Sequence, residues 1–300
     1  MISRVSDLQT FTELNGTLGR LKARIDELTE QVATGYRVNR PSDDPAAASR
    51  VVRSLSSLES LGRDTRAGEF ARGFLGAQDA LLDDARHITD RVKEIAVQQA
   101  NGVLSDGERQ AAAEEVHALL EAIVAIGNSE FDGRRVFAAG VEAATSPAPF
   151  TDPNDPSFDP LDPYSGPAAP LEVAIASDQR IRVTTPGDQV FGSTIAAIAD
   201  LEARLQANND PENSIPLLDA AAADLGAERA SVGTRMGRIE NRKSQVDGAK
   251  VLTTEGIATA RGADTVDIVT QLAQLQSQLQ VATAAAGRAI DASLVNLLAV

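Results

Sequence analysis

The stretch LNGTLGRLKARIDELTEQV, residues 14–32, carries the strongest fold signal in the sequence. Apolar residues recur in it at alternating intervals of four and three, which is the heptad spacing of a coiled-coil seam. The stripe consists of Leu14, Leu18, Leu21, Ile25, Leu28 and Val32. Because such a stripe covers only one narrow face of a helix, it predicts a long helix that packs along a partner.

A second stripe with the same spacing lies close to the other end of the sequence. It consists of Ile268, Leu272, Leu275, Leu279 and Ala282. Apolar residues beside the two stripes, such as Val5, Phe11, Val266 and Val269, would need neighbouring subunits to cover them. Two matching stripes predict a mainly α fold, in which both chain termini form a long antiparallel helical bundle or coiled coil.

The segment after the first stripe carries the signals for a helix end and a new helix start. Gly35 can adopt the left-handed conformation that often closes a helix, so the first helix should end near Thr34. The turn RPSDDP follows, made of Arg40, Pro41, Ser42, Asp43, Asp44 and Pro45. Its serine or aspartates can accept hydrogen bonds from the free amides of a new helix, whose first turn suits Pro45.

The helix that begins there should run for about 50 residues, well beyond the usual length. Three glycines between residues 68 and 76 each cost about 1 kcal/mol relative to alanine inside a helix, so we expect an interruption or bend. Asn101-Gly102 should end this helix, and Ser105 should cap a third one.

The middle of the chain has a different composition. Eight of the thirteen prolines lie between residues 147 and 170, which excludes a helix or a central strand there. Residues 171–175 and 181–183 alternate apolar and polar side chains and predict a β-hairpin. We therefore expect a small β-containing central insert and three domains. These are a terminal coiled-coil domain (1–34 with 258–300), a helical body domain (35–140 with 192–257) and a Pro-rich outer insert with the hairpin (141–191).

Composition excludes several classes of function. The chain has 300 residues and a net charge of −15, with no cysteine, no tryptophan and two histidines. Without cysteine there is no disulfide, thiolate metal site or cysteine nucleophile. The acidic balance argues against nucleic acid, whose phosphates require Lys and Arg, and no apolar run suits membrane insertion. Residues 1–16 lack the apolar core of a secretory signal peptide. We expect a structural protein with no catalytic residue, cofactor or metal.

One pattern of carboxylates and histidines could still indicate a metal enzyme. Asp84 precedes His87 by three residues, and Glu114 precedes His117 in the same way, which is similar to the spacing in di-iron helical bundles. Asp84 and His87 fall on the polar side of their helix, however, where they could not face a bundle interior. We interpret His117 as a partly covered histidine beside an apolar row.

Charged residues offer two interpretations for contacts between subunits. The two aspartates of the RPSDDP turn could cap the helix, or could also bind an arginine of an adjacent subunit, with Arg37 and Arg40 as local alternatives. A basic row on a later helix consists of Arg235, Arg238 and Arg242. We interpret that row as a solvated or intrachain ion-pair face, since exposed pairs contribute only about 0–1 kcal/mol.

Five segments, taken in order, resemble the flagellin superfamily. They are ATGYRVNRPSDDPAAASR (33–50), RVKEIAVQQANG (91–102), FDGRRVFAAG (131–140), VGTRMGRIENR (232–242) and ADTVDIVTQLAQLQSQLQVATAAAGRAIDASLVNLL (263–298). The regions of resemblance cover residues 1–140 and 215–300. Within the superfamily, the RPSDDP form, the short central domain and FDGRRVFAAG are more similar to hook–filament junction proteins than to filament flagellins.

The resemblance implies a structural subunit of the bacterial flagellum, whose terminal helices line an axial assembly in which the chain self-associates. It implies flagellin and the other hook–filament junction protein as neighbours, and a flagellar export chaperone that holds the carboxy-terminal part beforehand. It also implies secretion through the flagellar type III apparatus. A flagellin and a non-flagellar coiled-coil adaptor remain as alternatives.

Overall fold

A computed structural model describes the backbone of residues 2–100 and 105–298, and the side chains of residues 12–100 and 105–288. The helices are α1 (Ile2–Thr34), α2 (Pro45–Ala100), α3 (Asp106–Gly127), α4 (Gly187–Gln206), α5 (Ile215–Arg261) and α6 (Thr265–Leu298). The strands are β1 (Glu130–Phe131), β2 (Arg134–Arg135), β3 (Glu172–Ala174) and β4 (Arg180–Arg182), and a 3-10 turn spans Pro211–Ser214. The mainly α fold with a small β-containing insert is confirmed.

The chain forms two compact units. The first consists of Met1–Ser60 and Ala249–Val300, and the second of Leu61–Gly248. In the first unit, α1 and α6 pack along one another, and the end of α1 lies beside the start of α6, so the pair is antiparallel. The division into three domains that the sequence indicates stays a prediction.

The core of the second unit gathers most of the rings in this aromatic-poor chain. Phe74, Phe137, Phe150 and Phe191 are fully buried. Phe191 contacts two of them edge-on, with ring centroids 4.7 Å from Phe137 and 5.9 Å from Phe150. Such pairs contribute about 0.5–1.5 kcal/mol beyond the burial of their area. A low overall aromatic content therefore coexists with an aromatic core.

Two helix boundaries agree with the sequence signals. α1 ends at Thr34, and Gly35 follows with a φ of 71°, in the left-handed region that glycine adopts at low cost. Ser105 caps α3 in a capping box, because Glu108 donates its backbone N–H to the serine side chain and accepts the backbone N–H of Ser105 at 2.8 Å. The predicted stop at Asn101-Gly102 lies outside the described residues.

Of the interruption or bend expected in the second helix, the interruption is wrong, and the bend stays a prediction. α2 runs unbroken through Gly68, Gly73 and Gly76. At Gly73 the missing side chain allows close packing, since a Cβ there would approach the Phe131 ring to 3.3 Å. The buried side chains of Ala71, Phe74 and Leu75 lie in the same stretch. Burial of this kind outweighs the glycine cost, because most helix stability in proteins comes from tertiary packing.

One aromatic ring and one hairpin contribute to holding the insert in place. β3 and β4 pair antiparallel, with Val173 opposite Ile181, as the alternation predicts. The ring of Phe150 occupies a slot between the last residue of α3, Gly127, and the first of α4, Gly187. A Cβ at either glycine would come within 2.7 Å of the ring. In the described part of the chain, no helix is long and apolar enough to cross a membrane.

Candidate assembly interface

The two apolar stripes lie along one another in the first unit. Leu28 is 1% exposed and Ile268 is 6% exposed. The half-buried members are Leu14, Leu18, Leu21, Ile25 and Val32 on α1, and Leu272, Leu275, Leu279 and Ala282 on α6. Most side chains between them are exposed. This is the burial pattern of a narrow seam covered by a single partner helix, and packing of these residues between subunits stays a prediction.

A β-bridge that the sequence did not indicate joins the end of α1 to the start of α6. Tyr36 pairs with Gly262, and the backbone N–H of Arg37 donates to the carbonyl of Arg261 at 2.7 Å. The Arg261 guanidinium lies 4.0 Å from the centroid of the Tyr36 ring, in cation–π contact. The only sequence signal for this contact is the pair Arg261-Gly262 between two helical patterns. No neighbouring residue indicates that Tyr36 is its partner.

Asp44 of the RPSDDP turn is the residue that caps α2. Its Oδ1 accepts the backbone N–H of Ala47 at 2.9 Å, and its Oδ2 accepts the guanidinium of Arg37 at 3.1 Å. The amide of Ala47 and then the arginine hold the pKa of this carboxyl below its usual value. The capping interpretation is confirmed for Asp44, which already has an arginine partner in its own chain.

Asp43 closes the turn rather than the helix. Its Oδ2 accepts the backbone N–H groups of Arg40 at 2.7 Å and Asn39 at 3.0 Å. The amide of Arg40 is the main cause that lowers the pKa of the Asp43 carboxyl. The side chain of Arg40 itself pairs with Glu30 at 3.4 Å. A contact of this turn with an adjacent subunit stays a prediction.

Exposed apolar side chains are concentrated in the first unit. Among the residues whose side chains are described, the large exposed ones there are Tyr36, Val52, Leu55, Val251, Leu252, Val266, Val269 and Val281. Val266 is 77% exposed, Leu252 71% and Val281 67%. Val5 and Phe11, which the sequence places beside the first stripe, lie outside the side chains that are described. These side chains are the candidates for contact with neighbouring subunits, and that contact stays a prediction.

The carboxylate–histidine pattern does not assemble into a metal site. Asp84 and His87 are exposed on α2, whereas His117 is partly covered and bonds Glu202 at 2.9 Å through Nδ1 and Asn154 at 3.2 Å through Nε2. No group of three metal-ligating side chains occurs among the described residues. His117 therefore connects α3 to α4 and to the Pro-rich segment.

The basic row of α5 divides into two kinds of residue. Arg235 is 6% exposed and pairs with Glu228, and Arg242 pairs with Asp64 of α2 at 3.2 Å. The intrachain interpretation is confirmed for these two. Arg238 is exposed, in a groove described below.

Comparison with known proteins agrees with this architecture. The family model for the bacterial flagellin N-terminal helical region matches residues 5–141, and that for the C-terminal helical region matches residues 215–298. The chain belongs to the flagellin family. Together the two models cover both halves of the terminal pair and most of the helical part of the second unit.

The relatives in the flagellin family are named either as hook-associated proteins or as filament proteins. Flagellar hook-associated protein 3 of Escherichia coli is 28% identical over 198 residues, which is 65% of this chain and 58% of that protein. The flagellar filament 31.3 kDa core protein of Treponema maltophilum is 23% identical over 244 residues, 78% of either chain. The crystal structure of Xanthomonas campestris FlgL has the same fold, with a TM-score of 0.57 at 19% identity, over 69% of this chain and 99% of that one.

Proposed function

We propose that this chain is a structural subunit of the bacterial flagellum that forms the junction between hook and filament. Packing of its terminal helices against neighbouring subunits makes the joint. The observation that carries the proposal is the antiparallel α1–α6 pair, whose seam is only half-buried and whose flanks expose Val266, Val269 and Val281. Flagellin-family membership supports assembly along the flagellar axis.

The physical argument starts from the dimensions of the pair. α1 has 33 residues, so at 1.5 Å per residue it is about 50 Å long. Two such helices cover each other along one line only, and long isolated helices depend on further packing for their stability. Neighbouring subunits that cover the exposed valines would supply that packing. The same contacts would join subunits into an axial assembly.

Family membership also suggests the assembly partners and the route of export. The neighbours in the assembly are other copies of this chain, flagellin on the filament side and the other hook–filament junction protein on the hook side. A cytoplasmic export chaperone holds the carboxy-terminal part before the chain passes through the flagellar type III apparatus. The absence of cysteine agrees with passage as an unfolded chain, because no disulfide can form on the way.

A filament subunit is the second candidate. The Treponema maltophilum filament core protein matches a larger share of both chains than the Escherichia coli hook-associated protein does. A coiled-coil adaptor outside the flagellum is less well supported, because it does not account for family matches at both ends of the chain.

Labelling of isolated flagella tests the proposal. An epitope inserted at Pro167, an exposed residue of the insert, is detected by gold-labelled antibody in the electron microscope. A single narrow band where the hook meets the filament is the expected result. Label along the whole filament would establish the filament subunit instead, and purified flagella without label would contradict both.

A further inference from the structure

A groove lined by arginines lies between β4 and α5 of the second unit. Its polar lining consists mainly of Arg180, Arg182, Ser231, Thr234, Arg235 and Arg238, and its volume is about 310 Å³. We call it the arginine groove. Arg180 and Arg182 point to the same face of β4 because they are two residues apart, while the buried Ile181 between them faces the core.

The positive charge of this groove is only partly balanced within the chain. Glu228 pairs with Arg235, and Glu172 lies across the hairpin from Arg182. No carboxylate lies within 4.0 Å of the guanidinium nitrogens of Arg180, Arg182 or Arg238 among the described residues. The insert, residues 141–191, has eight acidic and two basic side chains, and both basic ones line the groove. The groove is therefore positively charged, although the chain as a whole is acidic.

The complementary charge lies on the Pro-rich loop of residues 151–163, which we call the acidic loop. Its four aspartates are Asp152, Asp155, Asp159 and Asp162, all exposed and each followed by proline. The base of the loop is closed by the bridge between Phe150 and Tyr164 and by a hydrogen bond from the Thr151 amide to the Pro163 carbonyl at 3.2 Å. No basic residue occurs between positions 143 and 179.

The acidic loop is shaped by hydrogen bonds from its own amides to its aspartate side chains. Oδ1 of Asp155 accepts the amide of Ser157 at 2.8 Å, and Oδ1 of Asp159 accepts the amide of Leu161 at 2.9 Å. The Ser157 amide lowers the pKa of the Asp155 carboxyl, so the group is ionised at neutral pH. Leu161 is 84% exposed between two of the aspartates. An ordered loop loses little conformational entropy when it binds.

We propose that the acidic loop of one copy of this chain docks in the arginine groove of a neighbouring copy. The guanidiniums of Arg180, Arg182 and Arg238 pair with the exposed carboxylates, and Leu161 packs against the aliphatic parts of these arginine side chains. Arginine and carboxylate form paired, directional hydrogen bonds of this kind. The proposal rests on the proposed function in one respect, that a second copy is the occupant.

The position of the acidic loop explains why it does not fill the groove of its own chain. Asn154 ties the loop to His117 of α3, whereas the groove lies on β4 and α5. No ion pair connects the loop to the groove within the described residues of one copy. Because loop and groove are different patches, the contact is head-to-tail and repeats from copy to copy in a ring or helix.

Charge reversal in the full chain tests the docking. The groove variant is Arg180→Glu with Arg182→Glu, and the loop variant is Asp159→Arg with Asp162→Arg. Self-association is measured by sedimentation velocity at low salt, where charge pairs are least screened. Wild type should associate, and each variant alone should associate at least about tenfold more weakly, because like charges then meet. An equimolar mixture of the two variants, or all four changes in one chain, should restore association.

Two further variants separate docking from misfolding. Asp155→Asn with Asp159→Asn keeps the turn geometry, since asparagine accepts the same amide bonds, and should weaken association without lowering the melting temperature. The chain lacks cysteine, so a mixture of Leu161→Cys and Thr234→Cys chains should form one intermolecular disulfide under mild oxidation. Gln98→Cys, exposed on α2, replaces Thr234→Cys as the control and should form none with Leu161→Cys.

Three results would overturn the proposal: a wild type that stays monomeric at low salt, reversal variants that associate as wild type does, or a mixture that restores nothing. These outcomes are independent of the labelling experiment. Label along the whole filament would contradict the junction role and leave the docking intact, whereas failed charge restoration would contradict the docking and leave the junction role intact.

Discussion

At the scale of single residues, two buried polar side chains of α2 differ in whether their polar atoms have hydrogen-bonding partners. Gln78 is fully buried on α2, and neither its Oε1 nor its Nε2 has a hydrogen-bonding partner among the described residues. Thr89, equally buried on the same helix, instead donates to the Ala85 carbonyl at 2.8 Å. A buried amide without partners costs about 1–3 kcal/mol, so we expect Gln78 to lower the stability of the fold.

Gln78→Met should therefore stabilise the protein. Methionine has nearly the same volume as glutamine but no polar atom that needs a partner, and the expected gain in unfolding free energy is about 1 kcal/mol. Urea unfolding followed by circular dichroism measures it. Gln98→Met, at an exposed position of α2, is the matched control and should change little. A lower urea midpoint for Gln78→Met would show that the amide is satisfied, for example by buried water.

His117 should make stability depend on pH. Burial alone would lower the pKa of its imidazole, but hydrogen bonds to Asn154 and Glu202 and the charge of Glu121 outweigh burial and raise it above 6.5. With a raised pKa in the folded state, the protonated ring contributes its full stability below 6.5, and this is lost as pH rises through the folded pKa. Both ring nitrogens face acceptors, which suits the protonated form.

The melting temperature of wild type should exceed that of His117→Gln most at about pH 5.5 and least at about pH 8.5. Thermal unfolding at a series of pH values measures the difference. His87→Gln, at an exposed position on α2, serves as the control and should show no such trend. A difference that stays constant with pH would mean that His117 acts by packing and not by charge.

At the scale of elements, the contact of Phe150 with two helix ends determines how the insert is attached. Gly127→Ala would place a methyl group 2.7 Å from the Phe150 ring. Overpacking of this kind costs about 1–3 kcal/mol, so this variant should unfold at a lower urea concentration. Gly192→Ala is the control, because it lies inside α4 with no atom within 4 Å of the added carbon and should be neutral or stabilising. Equal stability of the two variants would contradict the close contact between Gly127 and the Phe150 ring.

The α1–α6 seam gives a second prediction at this scale. Leu275→Asp or Leu21→Asp places a charge in the half-buried seam, where an unpaired charge is costly. Either variant should fail to enter flagella, while the core of the second unit melts as in wild type. Gln276→Asp, at an exposed neighbouring position, should still be incorporated. Isolated flagella probed by immunoblot give the readout, and normal incorporation of Leu275→Asp would contradict the seam assignment.

At the scale of the whole molecule, assembly should protect the terminal arms. The exposed valines of the first unit leave the arms with less cover than the second unit gives its aromatic core, and we expect their folding to be coupled to assembly. Limited proteolysis of dilute monomer should remove residues within 1–34 and 258–300 first, and the same bonds should resist cleavage in intact flagella. Arms as resistant as the second unit in the monomer would contradict this coupling.

The sequence by itself determined the features that depend on local pattern. Heptad spacing predicted both terminal helices, Gly35 indicated where α1 ends, the RPSDDP turn indicated where α2 begins, and alternation predicted the β3–β4 hairpin. These signals act over a few residues, so they can be interpreted without knowledge of the fold. The Pro-rich segment was predicted as irregular for the same reason, because proline removes a backbone donor wherever it stands.

Only the tertiary structure decided features that bring distant residues together. The Tyr36–Arg261 contact, the Phe150 slot and the arginine groove each join segments far apart in sequence, and no periodicity records such a pairing. The unbroken path of α2 through its glycines belongs here as well. Its local helix propensity indicated an interruption or bend, and the interruption does not occur because burial of Phe74 and Leu75 outweighs that propensity. Propensity acts residue by residue, whereas burial depends on which other segments come to pack there.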